Sequence, residues 1–204
     1  VTFTNKAASE MRVRCAQLLG EHMEFPWLGT FHRIGVHILR RHGEWVGVPP
    51  SFVIYDQSDQ KAMVNRCIRQ RGIDKLKPKP VQEFINSAKQ RALSPDALAK
   101  ADELEHQDRF LDLYRLYDEE MKKAGALDFG DLLMRPLELM RNHPDVAQTY
   151  RSTWRHVLVD EFQDTNQVQY DLLREILNPD AKICVVGDDD QSIYRWRGAE
   201  VENI

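Results

Sequence analysis

With 204 residues, 42% of them hydrophobic, the chain is long enough for one domain and a subdomain. No run approaches the roughly 20 apolar residues of a membrane span. Cys15, Cys67 and Cys184 are too few and too scattered for a disulfide framework or a zinc site. The formal net charge of −4 means that any nucleic-acid binding must rest on a local basic surface.

Taken in chain order, Val1 to Thr4 reads as the end of a strand. A Thr/Asn cap then opens a helix whose Ala8, Met11, Cys15, Leu18 and Leu19 form an apolar stripe, stopped by Gly20. Leu28 to Ile34 repeats this strand-to-helix plan. Its helix turns Phe31, Ile34 and Ile38 inward, presents Arg33, Arg40 and Arg41, and ends at Gly43. Those arginines and the run Lys75, Lys77 and Lys79 are the candidates for a basic surface, and the lysine run equally fits a solvated helix face. Phe52 to Tyr55 reads as a strand, and from Asp56 to about Trp154 the pattern is helical with little strand signal. Ser58 is expected to cap a helix carrying Met63, Val64, Cys67 and Ile68, which Gly72 ends. Pro78-Lys79-Pro80 reads as a linker into a helix with Val81, Phe84, Ile85 and Ala88, and Ser94-Pro95 fits a cap followed by a first-turn proline. A long helix then places Phe110, Leu113, Tyr114, Tyr117 and Met121 on one face, read as core, and ends near Gly125. Pro136, inside the helix after Asp128, predicts a kink or an early end.

Two later strands deliver polar residues at their carboxyl ends. Val157-Leu158-Val159 runs into Asp160-Glu161-Phe162-Gln163-Asp164-Thr165. In an open α/β sheet, ligands gather outside the carboxyl ends of the strands. An Asp there is suited to hold a nucleotide-bound Mg²⁺, and a Glu beside it to orient an attacking water; such a pair equally fits a strand that ends in a charged turn. The second strand, Ile183 to Val186, runs into Gly187-Asp188-Asp189-Asp190-Gln191-Ser192-Ile193-Tyr194-Arg195-Trp196-Arg197-Gly198-Ala199. Gln191 is suited to hydrogen-bond a terminal phosphate or its attacking water. Tyr194 and Trp196 alternate with Arg195 and Arg197, a pattern that suits single-stranded nucleic acid and equally fits core aromatics.

These segments resemble, in order and spacing, the sequence blocks of the UvrD/Rep/PcrA-like superfamily-one DNA helicases, and the likeness leans toward the UvrD branch. Thr2 to Met11 is similar to the block called Ia, Gly29 to Ile34 to Ib, Leu158 to Thr165 to the Walker B block, and Val186 to Ala199 to the third block. Leu127 to Leu133 resembles the family's short acidic helix before the Walker B strand. The resemblance implies an α/β, RecA-like P-loop NTPase sheet, present in part, with an all-helical insertion. Residues 1–56 and 125–204 would be the two parts of the first RecA-like domain (1A), and 57–124 the insertion (1B). It also implies ATP and Mg²⁺ as cofactors and 3′-to-5′ movement on single-stranded DNA, with unwinding of ss/ds junctions in repair or replication. A bacterial cytoplasmic, nucleoid-associated setting would follow, with repair or replication proteins as partners.

Residue by residue, the resemblance has Asp160 holding Mg²⁺, Glu161 orienting the hydrolytic water, Gln191 sensing the γ-phosphate, and Arg197 pairing with an acidic or phosphate group nearby. Phe3, Tyr194 and Trp196 would form pockets for bases. Thr4, Asn5, Thr30 and His32 would touch the DNA backbone or position those that do, although His32 equally fits a hydrogen-bonded core histidine. One departure stands out. No Lys follows a Gly, so the phosphate-cradling G-x-x-x-x-G-K-[ST] motif is absent. With no initiator Met, the chain is expected to be a fragment whose P-loop lies upstream and whose second RecA-like domain lies downstream. Two rivals follow: a non-catalytic single-stranded DNA-binding module, and a metal-dependent nuclease built on Asp188, Asp189 and Asp190.

Overall fold

In the computed structural model, residues 1–20, 22–73, 75–101 and 108–188 are described. Gln191, Tyr194, Trp196 and Arg197, and with them Asp189 and Asp190, lie outside the described residues. The described part is mostly helical with small parallel sheets.

Strands β3 (His156–Val159) and β4 (Lys182–Val185) pair in parallel, Val159 opposite Val185. The amino terminus extends this strip. Val1 donates to the Leu158 carbonyl at 2.6 Å and accepts from the Asp160 amide at 3.0 Å, the spacing of a parallel ladder. Thr2 in turn bridges Thr30 in parallel. Thus Thr2, Thr30 and Asp160 meet at one end of the strip.

Helices α1 (Asn5–Leu19) and α2 (Phe31–His42) leave the strip immediately, capped by the side chains of Thr4 and Thr30. Each cap satisfies an otherwise orphaned amide and contributes about 1 kcal/mol. α2 buries Phe31, Ile34 and Ile38 as its periodicity requires. α1 differs from expectation: of its stripe only Ala8 is buried, while Leu18 and Leu19 face outward, because no described element packs over them. Arg40, exposed as expected, also has a local use. Its guanidinium stacks 4.1 Å from the centre of the Phe52 ring and donates to the carbonyls of Pro50 and Phe52, so its charge secures a loop.

Two residues of the expected strand, Val53–Ile54, form β1, which pairs in parallel with β2 (Ala126–Leu127). The sequence reading missed β2, since two residues carry no measurable periodicity. Between them lie α3 (Gln57–Gln70), α4 (Pro78–Gln90), α5 (Pro95–Lys100) and α6 (Asp108–Lys123). α3 is capped by Asp56 in a reciprocal box with Asp59, displacing Ser58 into the first turn. Pro78 is the first residue of α4 rather than part of a linker, a place where its missing N–H costs nothing. Leu113, Tyr114, Tyr117 and Met121 of α6 are buried against Val64, Cys67, Val81 and Ile85, as core residues should be.

α7 (Asp131–Asn142) continues past Pro136, so the early end expected there does not occur. Proline removes the donor that would have served the Leu132 carbonyl. The same oxygen is where α2 crosses: a Cβ on Gly35 would stand 1.9 Å from it, so glycine lets the two backbones close over the gap. α8 (Pro144–Thr153) and α9 (Gln167–Ile176) complete the second apolar cluster, with Phe31, Leu137, Tyr150, Val157, Val159 and Leu172 inside. No helix among the described residues is long and apolar enough to cross a membrane.

Candidate nucleotide and nucleic-acid site

The carboxyl end of β3 turns abruptly. Glu161 adopts φ +54 and ψ 46, left-handed for a residue with a side chain. Such a conformation costs about 1–3 kcal/mol and persists only where its surroundings impose it. Here the Phe162 amide donates to the Val186 carbonyl at 3.0 Å and the Asp164 amide to the Glu161 carbonyl at 3.0 Å, locking a short 3-10 turn, Phe162–Asp164. The strained turn sends the Glu161 side chain out to solvent while Asp160, half-buried, accepts from the Thr2 hydroxyl at 3.2 Å.

Gln163 is a residue the sequence reading quoted but gave no role. It is buried, and its amide donates to Glu161 Oε2 at 2.6 Å while its carbonyl oxygen accepts from the Asp188 amide at 3.1 Å. It therefore ties the Glu161 carboxylate to the loop that leaves β4. Its polar character at the centre of an otherwise buried turn was the available signal.

Oxygen donors of this kind suit a hard cation. Mg²⁺ is usually held by one or two carboxylates plus substrate phosphates rather than by an all-protein cage. Among the described residues no three His, Cys, Asp or Glu side chains converge in a metal-holding group; the carboxylates at the end of β3 are those of Asp160 and Glu161.

One residue beyond Thr2 the chain enters a cleft of about 750 Å³. Phe3, packed edge-on against Phe31 at 6.1 Å, and His32 line it. Tyr55, Gln60, Asn86, Asn166 and Gln169 line it too. Phe129 is a further lining residue, 52% exposed, its ring 5.8 Å from His32. Sequence reasoning gave Phe129 no role because a single aromatic between Asp128 and Gly130 shows no periodicity; only the folded turn shows that it is exposed. Thr4 and Asn5 are exposed at the start of α1, near this cleft in sequence. Thr30 is buried, its oxygen accepting from the Arg33 amide at 3.2 Å as the cap of α2.

Under the cleft floor lies a buried polar cluster that the sequence did not reveal. Lys89 Nζ sits 2.8 Å from Asp128 Oδ2 and 2.7 Å from Asp131 Oδ1. The Tyr117 hydroxyl donates to Asp128 Oδ2 at 2.8 Å, and Gln60 donates to the same oxygen at 3.2 Å. Burial works against the Lys89 ammonium, but the two carboxylates hold its pKa above the usual lysine range. Burial, and then the Asp128 charge, push the Asp131 carboxyl up to about 6. Asp128, buried but facing Lys89, is held below the ordinary carboxylate range.

The family model for the UvrD/REP helicase N-terminal domain matches residues 1–204. The chain belongs to the UvrD/REP helicase family. It is 42% identical over its whole length to DNA helicase II of Escherichia coli and 39% identical to DNA helicase II of Haemophilus influenzae. It is 37% identical to the ATP-dependent DNA helicase PcrA of Staphylococcus epidermidis, again over its whole length. The chain spans 28–29% of the length of these curated relatives. As a UvrD/REP chain, it carries a partial RecA-like fold at its parallel strands.

Proposed function

We propose that this chain supplies part of the first motor domain of a longer ATP-dependent DNA helicase, one that moves 3′ to 5′ on single-stranded DNA and opens ss/ds junctions. The observation that carries the reading is the juxtaposition at Thr2 and Phe3. Thr2 donates to Asp160 at the strand end, and the next residue lines the cleft that holds His32 and Phe129. A shift of one residue's backbone is thus felt on both sides.

In this reading, residues 1–56 and 125–204 form the RecA-like part and 57–124 the helical insertion. Support comes from the separation of the apolar cluster of α3–α6 from that around β3 and α7–α9, with a third, small cluster of Leu39, Val48, Phe52, Leu127 and Leu132 beside the β1–β2 pair. Bound MgATP would supply the triphosphate whose hydrolysis drives movement. Asp160 would hold the cation through water, Glu161 would orient the attacking water, and Gln163 would fix the Glu161 carboxylate relative to the loop leading toward Gln191. Phe3 and Phe129 would stack bases, with Tyr194 and Trp196 continuing the platform, and Arg197 would pair near the γ-phosphate. Base stacking on such rings contributes about 1–3 kcal/mol each.

The 204 residues by themselves hold no Gly-Lys pair, so the isolated chain is proposed to bind single-stranded DNA without turning over ATP. The test is Glu161→Gln in the intact protein. Turnover is expected to fall by about 10²- to 10⁴-fold, the range for a lost general base, with nucleotide affinity retained. Wild-type turnover would remove Glu161 from this role.

A further inference from the structure

The turn from Asp128 to Asp131 is fastened with unusual completeness. The Asp131 amide donates to Asp128 Oδ1 at 2.9 Å and the Asp128 amide to Asp131 Oδ2 at 3.2 Å, a reciprocal box across the turn. The remaining oxygens, Asp128 Oδ2 and Asp131 Oδ1, converge on Lys89 Nζ from α4. All four carboxylate oxygens are therefore engaged. Lys89 is 1% exposed, and its stem lies so close to Gly130 that a Cβ there would stand 2.7 Å from Lys89 Cδ.

Burying three charges in this way is a poor device for stability. The desolvation cost rivals the mutual attraction, and apolar replacements of similar volume are often no less stable. What such a cluster does well is to specify geometry. Asp128 borders the cleft but is 2% exposed, Asp131 is buried and residue 130 is a glycine, so Phe129, 52% exposed, is the side chain of the turn that stands open at the cleft.

We infer that Lys89 is a positioning residue for single-stranded DNA: through Asp128 and Asp131 it fixes the turn that holds the Phe129 ring beside His32, ready to stack an unpaired base. Because Lys89 and its neighbour Tyr117 belong to α4 and α6, the placement of the helical region becomes part of the geometry of the cleft. A displacement of those helices moves the Phe129 ring. This rests on the proposed reading of the cleft as the path of single-stranded DNA.

The test is a double-mutant cycle in the intact protein, with a fluorescent oligothymidylate as the probe. Phe129→Ala is expected to weaken binding by about 5- to 150-fold, the equivalent of one stacked base. Lys89→Met, which keeps the stem and removes the charge, is expected to weaken it at least 5-fold. The double variant is expected to bind no worse than Phe129→Ala alone, since both act through one ring. Additive losses, or wild-type binding by a folded Lys89→Met beside a weakened Phe129→Ala, overturn the inference and leave the cleft reading standing. Wild-type binding by Phe129→Ala overturns the cleft reading itself. If Lys89→Met does not fold, Tyr117→Phe, which removes only the hydroxyl on Asp128, takes its place with the same non-additivity expected.

Discussion

The helical region from α3 to α6 and the strip around β3 and β4 treat their apolar residues in opposite ways. In the helical region Val81, Ile85, Leu113 and Tyr117 have no solvent-exposed surface, and the cluster closes on itself. In the strip, Val157 and Val159 are buried against the α7–α9 side, whereas Leu158 is 62% exposed and every residue of β4 is open to solvent. α1, on the same strip, leaves Leu18 and Leu19 outside. A helical cluster built from local contacts completes its own core. A parallel strip needs cover on both faces, since parallel sheets occur almost only with both faces packed. The nucleotide-side residues Asp160 and Glu161 thus sit on the less self-sufficient half, and Lys89, Asp128 and Asp131 bind the cleft to the more self-sufficient one.

The largest effect that tests this contrast is on stability. Leu113→Ala is expected to destabilise the 204-residue chain by about 2–5 kcal/mol, the range for a buried leucine, whereas Leu158→Ala is expected to stay within about 0.5 kcal/mol. Urea unfolding of the two variants measures both, and equal losses would break the comparison.

A smaller effect concerns the cluster that joins the halves. Asp131 is faced by Lys89, Asp128 and Arg135, with Tyr114 and Asp118 of α6 nearby. Its folded pKa, pushed up to about 6, lies above the roughly 3.9 of an unfolded Asp. The folded chain therefore binds the extra proton between those values, and the Asp131 contribution to stability falls as pH rises through that window. The Asp131 carboxyl resonance is expected to titrate near pH 6 and to move higher in Lys89→Met, because the ammonium lowers it. A midpoint near 4 would mean that the carboxyl is open to water and the two halves are less firmly joined.

The smallest expected effect is at the surface of the helical region. Lys79 lies 3.7 Å from Glu83 with both side chains exposed. Lys79→Ala is expected to change stability by less than about 0.5 kcal/mol, and by less still at high salt. A larger loss would show that the closed core leans on its exposed ion pairs.

Much of this architecture was legible residue by residue. The Thr4–Asn5 cap was readable because a hydroxyl before an apolar-periodic run has a local reason to be there, whereas Thr30 emerged as a cap only in the structure. The strands that end at Asp160 and Gly187 were legible because short apolar runs bounded by polar turns have few other uses. Ser58 was misread for want of geometry: Asp56, two residues earlier, accepts from the Ser58 and Asp59 amides and so starts the helix sooner. The early end expected at Pro136 did not occur: the rule against proline inside a helix is also local, whereas Gly35, which lets α2 pass close to the freed carbonyl, lies on another helix.

The sequence by itself determined the family, the order of strand-to-helix units and the identity of the residues at the strand ends, because caps, periodicity and motifs act over a few positions. Only the tertiary structure decided that Lys89 meets Asp128 and Asp131, that Gln163 bridges Glu161 to Asp188, and that Phe129 faces the cleft. Each of those residues reads in the chain as an ordinary polar or apolar member of its segment. The physical reason is that burial and hydrogen-bond partnership are properties of three-dimensional enclosure: partners 39 and 25 residues apart leave no trace in local periodicity.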